Sequence, residues 1–166
     1  HDVGQGPRIV KFAQQQDGIE VFARSLRLAV GSEGLPLLAS GNLATAVEPV
    51  TRVFALSEQA ATAAALQAVT KGQATVTGVQ RTGTAVGAYS LLAVTAQPHE
   101  SADPQAAEQR YLLLGPARSK RVYFPTTLGL LPAYYIELSV GRSDSVDALQ
   151  QAVVVSVVDG ALLFQK

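Results

Sequence analysis

The chain has 166 residues, with 13 basic and 13 acidic side chains and a formal net charge of zero. A hydrophobic fraction of 48% against 16% charged excludes wholesale disorder, and no uninterrupted run of about 18 apolar residues is present to form a transmembrane helix. Balanced charge argues against nucleic acid and anionic membrane as main partners, since both demand a basic excess, and the lack of Cys excludes thiol catalysis, thiolate zinc sites and disulfides.

There is no Met, so His1 is read as the start of a trimmed chain rather than a translation start. The length predicts one ordinary domain or two small ones sharing a core. Arg8 to Gln15 reads as a strand, and Asp17-Gly18 as a tight hairpin turn, because the turn needs positive φ and Gly supplies it at little cost. The return strand is long, Ile19 to Val30, with a bulge or strong twist expected near Ala23 to Ser25. Gly31 to Gly34 turns the chain into a third strand, Leu35 to Leu43, whose Pro36 favours the sheet edge. These residues predict a three-stranded meander.

Thr45 to Ala55 reads as a connector. A helix is predicted from about Ser57 to Thr70: Ser57 is a good N-cap, Glu58 suits the positive end of the dipole, and the interior is rich in Ala. Lys71-Gly72 stops it. Strands follow at Thr75 to Gln80, Ala88 to Ala96, Gln109 to Leu114, Arg121 to Phe124 and Ala133 to Val140, with polar loops at Pro98 to Ala107 and Gly141 to Ala148. A last hairpin, Ala152 to Val158 and Ala161 to Gln165, turns on Asp159-Gly160. With one helix there are too few crossovers for parallel βαβ units, so the expected class is α+β with antiparallel sheets. Two small subdomains are expected, residues 1–50 as the meander and 51–166 as helix plus sheet.

Catalytic candidates are few. The only internal imidazole is His99, in a Pro- and Asp-rich loop with no strained elbow beside it, and it reads as a solvated histidine. The carboxylate pairs Glu100/Asp103 and Asp144/Asp147 sit among Ser, Gly and Gln, without the apolar pocket that would drive their pKa values apart. Glu137 reads as an outward-facing strand residue. The glycines Gly83 and Gly87 lack the Lys and the following helix of a phosphate loop. Arg118-Ser119-Lys120-Arg121 is a basic cluster between two strands, read either as a solvated turn or as a partner-facing or cleavage-sensitive loop. In Tyr134-Tyr135 and Tyr123-Phe124, one member of each pair belongs to a core; the other faces a partner, a second layer or water. The residues alone describe a binding or scaffolding module with no catalytic residue, no cofactor and no metal site. A small enzyme of cone-shaped α+β type would need an internal acid or base, and none is found.

Several motifs, taken in order, carry a resemblance: Gly18-Ile19-Glu20-Val21-Phe22 after a Gln-rich strand, Ala39-Ser40-Gly41-Asn42-Leu43, Leu56-Ser57-Glu58-Gln59-Ala60-Ala61, Tyr123-Phe124-Pro125, Gly129-Leu130-Leu131-Pro132-Ala133-Tyr134-Tyr135-Ile136-Glu137-Leu138 and Val157-Val158-Asp159-Gly160-Ala161-Leu162-Leu163. From about Arg8 to Gln165 this order is similar to the pro-region of secreted bacterial zinc metallopeptidases of the fungalysin and thermolysin type. Tyr134 or Tyr135 stands where many relatives carry Trp, and both polar loops look enlarged. The resemblance implies a fungalysin/thermolysin-propeptide (FTP) segment over 1–50 and a PepSY-like segment over 51–166, with a cystatin/PepSY-like fold. It implies a secreted or periplasmic intramolecular chaperone and inhibitor, a zymogen part without catalysis of its own, whose partner is the cognate zinc metallopeptidase catalytic domain. No nucleic acid, membrane or metal enters that picture, and the isolated chain is expected to be a monomer. The His-Glu-x-x-His zinc motif is absent. The surface expected to meet the peptidase is the meander and its hairpins, then Asn42 and the 115–121 loop with Arg118, Lys120 and Arg121. Lys166 is the candidate processing junction. The alternative is a free-standing secreted peptidase inhibitor or protein-binding module of the same fold.

Overall fold

Alternating apolar and polar residues between Gly-containing turns direct most of this chain into strands. The structure, a computed structural model, describes residues 6–45, 48–98, 111–142 and 148–166. Its elements are β1 (Arg8–Gln16), β2 (Ile19–Val30), β3 (Pro36–Asn42), α1 (Glu58–Val69), β4 (Ala74–Val86), β5 (Tyr89–Pro98), β6 (Tyr111–Leu113), β7 (Ala117–Thr126), β8 (Gly129–Arg142), β9 (Ala148–Ser156) and β10 (Leu162–Gln165). His99, Glu100, Asp103, Asp144 and Asp147 lie outside the described residues.

Among the described residues 64% are in strands and 9% in helix, and the ten strands form a mixed hydrogen-bonded sheet. The protein is therefore mainly β. This corrects the expected α+β class, with its antiparallel sheets, main helix and cystatin/PepSY-like fold. Two physical reasons account for the difference. Gly and Pro residues expected to end strands are accommodated inside them: Gly83 lies within β4 where the register shifts between Arg81 and Ala85, and Pro132 lies within β8. The strands are consequently longer than their turn signals suggest. The second reason is parallel pairing, of Glu20 with Val122 and Val21 with Tyr123, and of Pro49 with Leu130. Parallel neighbours need no direct helical crossover when most of the chain, from β3 to β6, lies between them in sequence.

The described residues divide into two compact units. One takes those up to Thr51 together with Val122–Leu131, and the other takes Arg52–Arg121 and Pro132–Lys166. In the first, β2 is the centre of an antiparallel meander with β1 on one side and β3 on the other. Asp17 (φ 52°) and Gly18 (φ 77°) make the β1–β2 turn, in the left-handed geometry that matches strand twist. Ala23 (φ 54°) marks an irregularity in β2, opposite the register shift between Ala13 and Gln15. Below it the early part of β2 meets β7, and Val21, Tyr123 and Leu130 close a small core with Ile19 and Ala44 against it. Phe22 and Phe124 stack at 5.8 Å. The Gln14 side chain pins the following segment, accepting from Ala44 N at 2.7 Å and donating to Ala44 O at 3.3 Å.

In the second unit α1 lies on the sheet. Ser57 Oγ accepts from Ala60 N at 3.1 Å, and Gly72 (φ 78°) ends the helix with a 2.8 Å bond from its amide to Gln67 O. Ala61, Thr62, Ala65 and Leu66 are buried, small enough to let the helix lie close against the strands. They pack on Leu92, Ala117, Tyr134, Ile136, Leu138, Val140, Val153 and Val155. The alternation in β8 is strict: Tyr134, Ile136, Leu138 and Val140 face the helix, so Tyr135, Glu137 and Ser139 point to the other side. Buried Glu58 is paired with Arg81 of β4, and that carboxylate raises the guanidinium pKa.

Candidate protein-binding faces

The basic cluster is a strand segment. Arg118, Lys120 and Arg121 lie in β7, not in a 115–121 loop, because Ala117 and Ser119 are drawn into the core and their neighbours must alternate outward. Arg118 and Lys120 share the open face with Tyr89 of β5 and with Tyr135 and Glu137 of β8. Arg118 Nη1 is 3.0 Å from Glu137 Oε2, and Tyr89 Oη donates to Glu137 Oε1 at 3.2 Å. The Arg118 guanidinium sits 4.3 Å over the Tyr89 ring, while Lys120 Nζ lies 5.1 Å from Tyr89 and 5.4 Å from Tyr135. Burial and the Glu137 carboxylate push the Tyr135 phenol up to about 12, and burial also raises that of Tyr89. One carboxylate thus serves two phenols and a guanidinium. The cluster is a structured surface of aromatic rings and cations.

Arg121 points the other way and lies 4.7 Å over the Phe54 ring, whose edge in turn meets Tyr134. It therefore does not join Arg118 and Lys120. Asn42 belongs to the other unit, at the end of β3, where its amide donates to Ala23 O (3.3 Å) and accepts from Arg24 Nη1 (3.0 Å). Lys166 is held by reciprocal 2.9 Å backbone bonds with Ala152, so cleavage there would require that pairing to open. Glu137 does face outward from its strand, and Tyr89, which pattern reading did not single out, is the ring that organises the cluster. The signal for Tyr89 was its place two residues from Leu91 on the non-core face of β5.

The meander presents a different surface. Register places Val10, Phe12, Leu26, Leu28, Val30, Leu37 and Ala39 on one face. Phe12 is 51% and Leu37 64% exposed, and none of these seven side chains is buried. The opposite face is mixed, with Lys11, Ser25, Arg27, Ser40 and Asn42 among Ile9, Ala29 and Leu38. Among the described residues no group of three or more His, Asp or Glu is placed to hold a metal ion, and no helix is long and apolar enough to cross a membrane. No protein-family model, curated protein or solved structure matches the chain.

Proposed function

We propose that the chain works by binding another polypeptide without catalysing a reaction, and that this polypeptide is the catalytic domain of a secreted zinc metallopeptidase of the fungalysin/thermolysin type. The chain assists folding of that domain and then holds it inactive as a noncovalent cap, in a secreted or periplasmic setting. The observation that carries the reading is the apolar face of the meander. A contiguous exposed apolar surface of this kind marks a contact site for a partner, and the motif order of the chain supplies the partner's class. The Tyr89, Arg118 and Tyr135 face adds rings and cations of the types enriched where proteins meet. The reading predicts two effects in one experiment. The denatured peptidase domain, refolded with and without this chain, should recover in higher yield with it, and the recovered complex should hydrolyse a peptide substrate more slowly than the free domain. Unchanged yield together with unchanged hydrolysis would remove the proposal.

A further inference from the structure

Strand β3 is a sheet edge whose later part, from Leu38 to Asn42, carries no charge, no Pro and no register shift. Sheet edges are normally blunted by charge, Pro or bulges. The other edge of the meander has charge along it, since β1 carries Arg8 and Lys11. Pro36-Leu37-Leu38-Ala39-Ser40-Gly41-Asn42 has no charged residue, its one Pro and its one register shift (at Leu37) are confined to the start, and all seven residues are exposed. Among the described residues no strand pairs with β3 on the side away from β2.

The two faces beside this edge state what would pair with it. On one, Leu37 and Ala39 continue the apolar surface of Leu26, Leu28, Val10 and Phe12. On the other, a single row runs across the strands as Lys11, Arg27 and Ser40, given by the registers Lys11 with Arg27 and Arg27 with Ser40. Lys11 and Arg27 are directly opposed like charges, an arrangement that costs stability in a sheet, and neither makes an ion pair among the described residues. Ser40 is small, which leaves the long Arg27 side chain room to reach across it to a strand laid against β3.

We infer that β3 is a strand-addition site for an extended segment of the partner whose side chains alternate apolar and polar, with a carboxylate in the row of Ser40, Arg27 and Lys11. Backbone bonds to β3 would supply affinity, the apolar side chains would lie over Leu37 and Ala39, and the carboxylate would relieve the opposed cations. A second copy of the chain does not fit this row, because β3 contains no acid to offer. The inference rests on the reading above that the chain acts on a polypeptide, and it names the attachment point and chemistry.

The test is fluorescence anisotropy of the intact chain with the labelled peptide Val-Thr-Val-Glu-Val-Thr-Val and three relatives: Gln for Glu, Lys for Glu, and the Glu peptide with alternate amides N-methylated. The Glu peptide should bind about threefold tighter than the Gln peptide and about tenfold tighter than the Lys peptide, from the worth of an exposed charge pair. The preference should shrink at molar salt and vanish in the double variant K11Q/R27Q, in which the Gln peptide still binds. The N-methylated peptide should not bind. Equal binding of Glu and Lys peptides, retained binding after N-methylation, no binding of any peptide, or self-association of the chain in place of peptide binding would each overturn the inference. A chain that assists and inhibits the peptidase yet fails this assay would retain its proposed function and lose only β3 as the site.

Discussion

Individual side chains in the second unit carry sharp consequences. Tyr135 is held protonated by burial and by Glu137, with its pKa raised from 10.0 to about 12. A folded-state pKa above the unfolded one means that the native state keeps a proton the unfolded state releases. The stabilisation is complete below pH about 10 and is lost as pH climbs through about 12. Thermal unfolding followed from pH 9 upward should show a decline in this window that is smaller in Y135F, and of the late-titrating tyrosines in the phenolate absorbance the variant should remove one, leaving that of Tyr89. Ser119 offers the opposite case. Its hydroxyl is fully buried with no hydrogen-bond partner among the described residues, whereas the buried Ser156 accepts from Val158 N at 3.2 Å. Removing an unsatisfied buried hydroxyl while keeping the methylene should help, so S119A is expected to raise stability by about 1 kcal/mol in urea titration. A loss of stability would show that the hydroxyl has a partner.

At the scale of elements, the β2–β3 pairing depends on Gly41. A Cβ there would fall 2.2 Å from Ser25 O and 2.9 Å from Leu26 Cα, both backbone atoms that cannot swing away. G41A should therefore open the end of the β3 ladder and cost about 2 kcal/mol, with faster hydrogen exchange confined to β3 and the middle of β2. The elements themselves were unevenly legible. The meander, the Ser57-capped helix and the Asp17-Gly18 turn follow from local chemistry, because caps and two-residue turns are specified by a few adjacent residues. The last hairpin turns at Asp159-Gly160 through a longer loop that also takes in Val157 and Val158. Strand ends were less legible, since Gly83 and Pro132 look like punctuation until neighbouring strands absorb them. Arg118 to Arg121 resembled a turn for the same reason. A run of three cations within four residues looks solvated, but the buried Ala117, Ser119 and Val122 hold it in β7. Long-range parallel pairing, as between Val21 and Tyr123, leaves no local trace at all.

For the whole molecule, fold and function separate cleanly. In a chain whose described residues are mainly β, with α1 covering part of the sheet, two surfaces stand out. One is the ring-and-cation face around Tyr89, and the other is the exposed apolar side of the meander. Of the residues expected to meet a partner, Arg118 and Lys120 share a face, Arg121 lies on the opposite side of β7, and Asn42 is in the other unit. The three strands that carry Val10 and Phe12, Leu26, Leu28 and Val30, and Leu37 and Ala39 were legible in the sequence. That these side chains share one face and that none of them is buried among the described residues was not, because exposure depends on how the rest of the chain packs. The central claim is that this face is where the partner rests. Hydrogen exchange of the chain, free and mixed with the peptidase catalytic domain, tests it most directly. Amides of β1, β2 and β3 should exchange more slowly in the mixture, with those of α1 unchanged; exchange in the meander that is identical with and without the peptidase would contradict the claim.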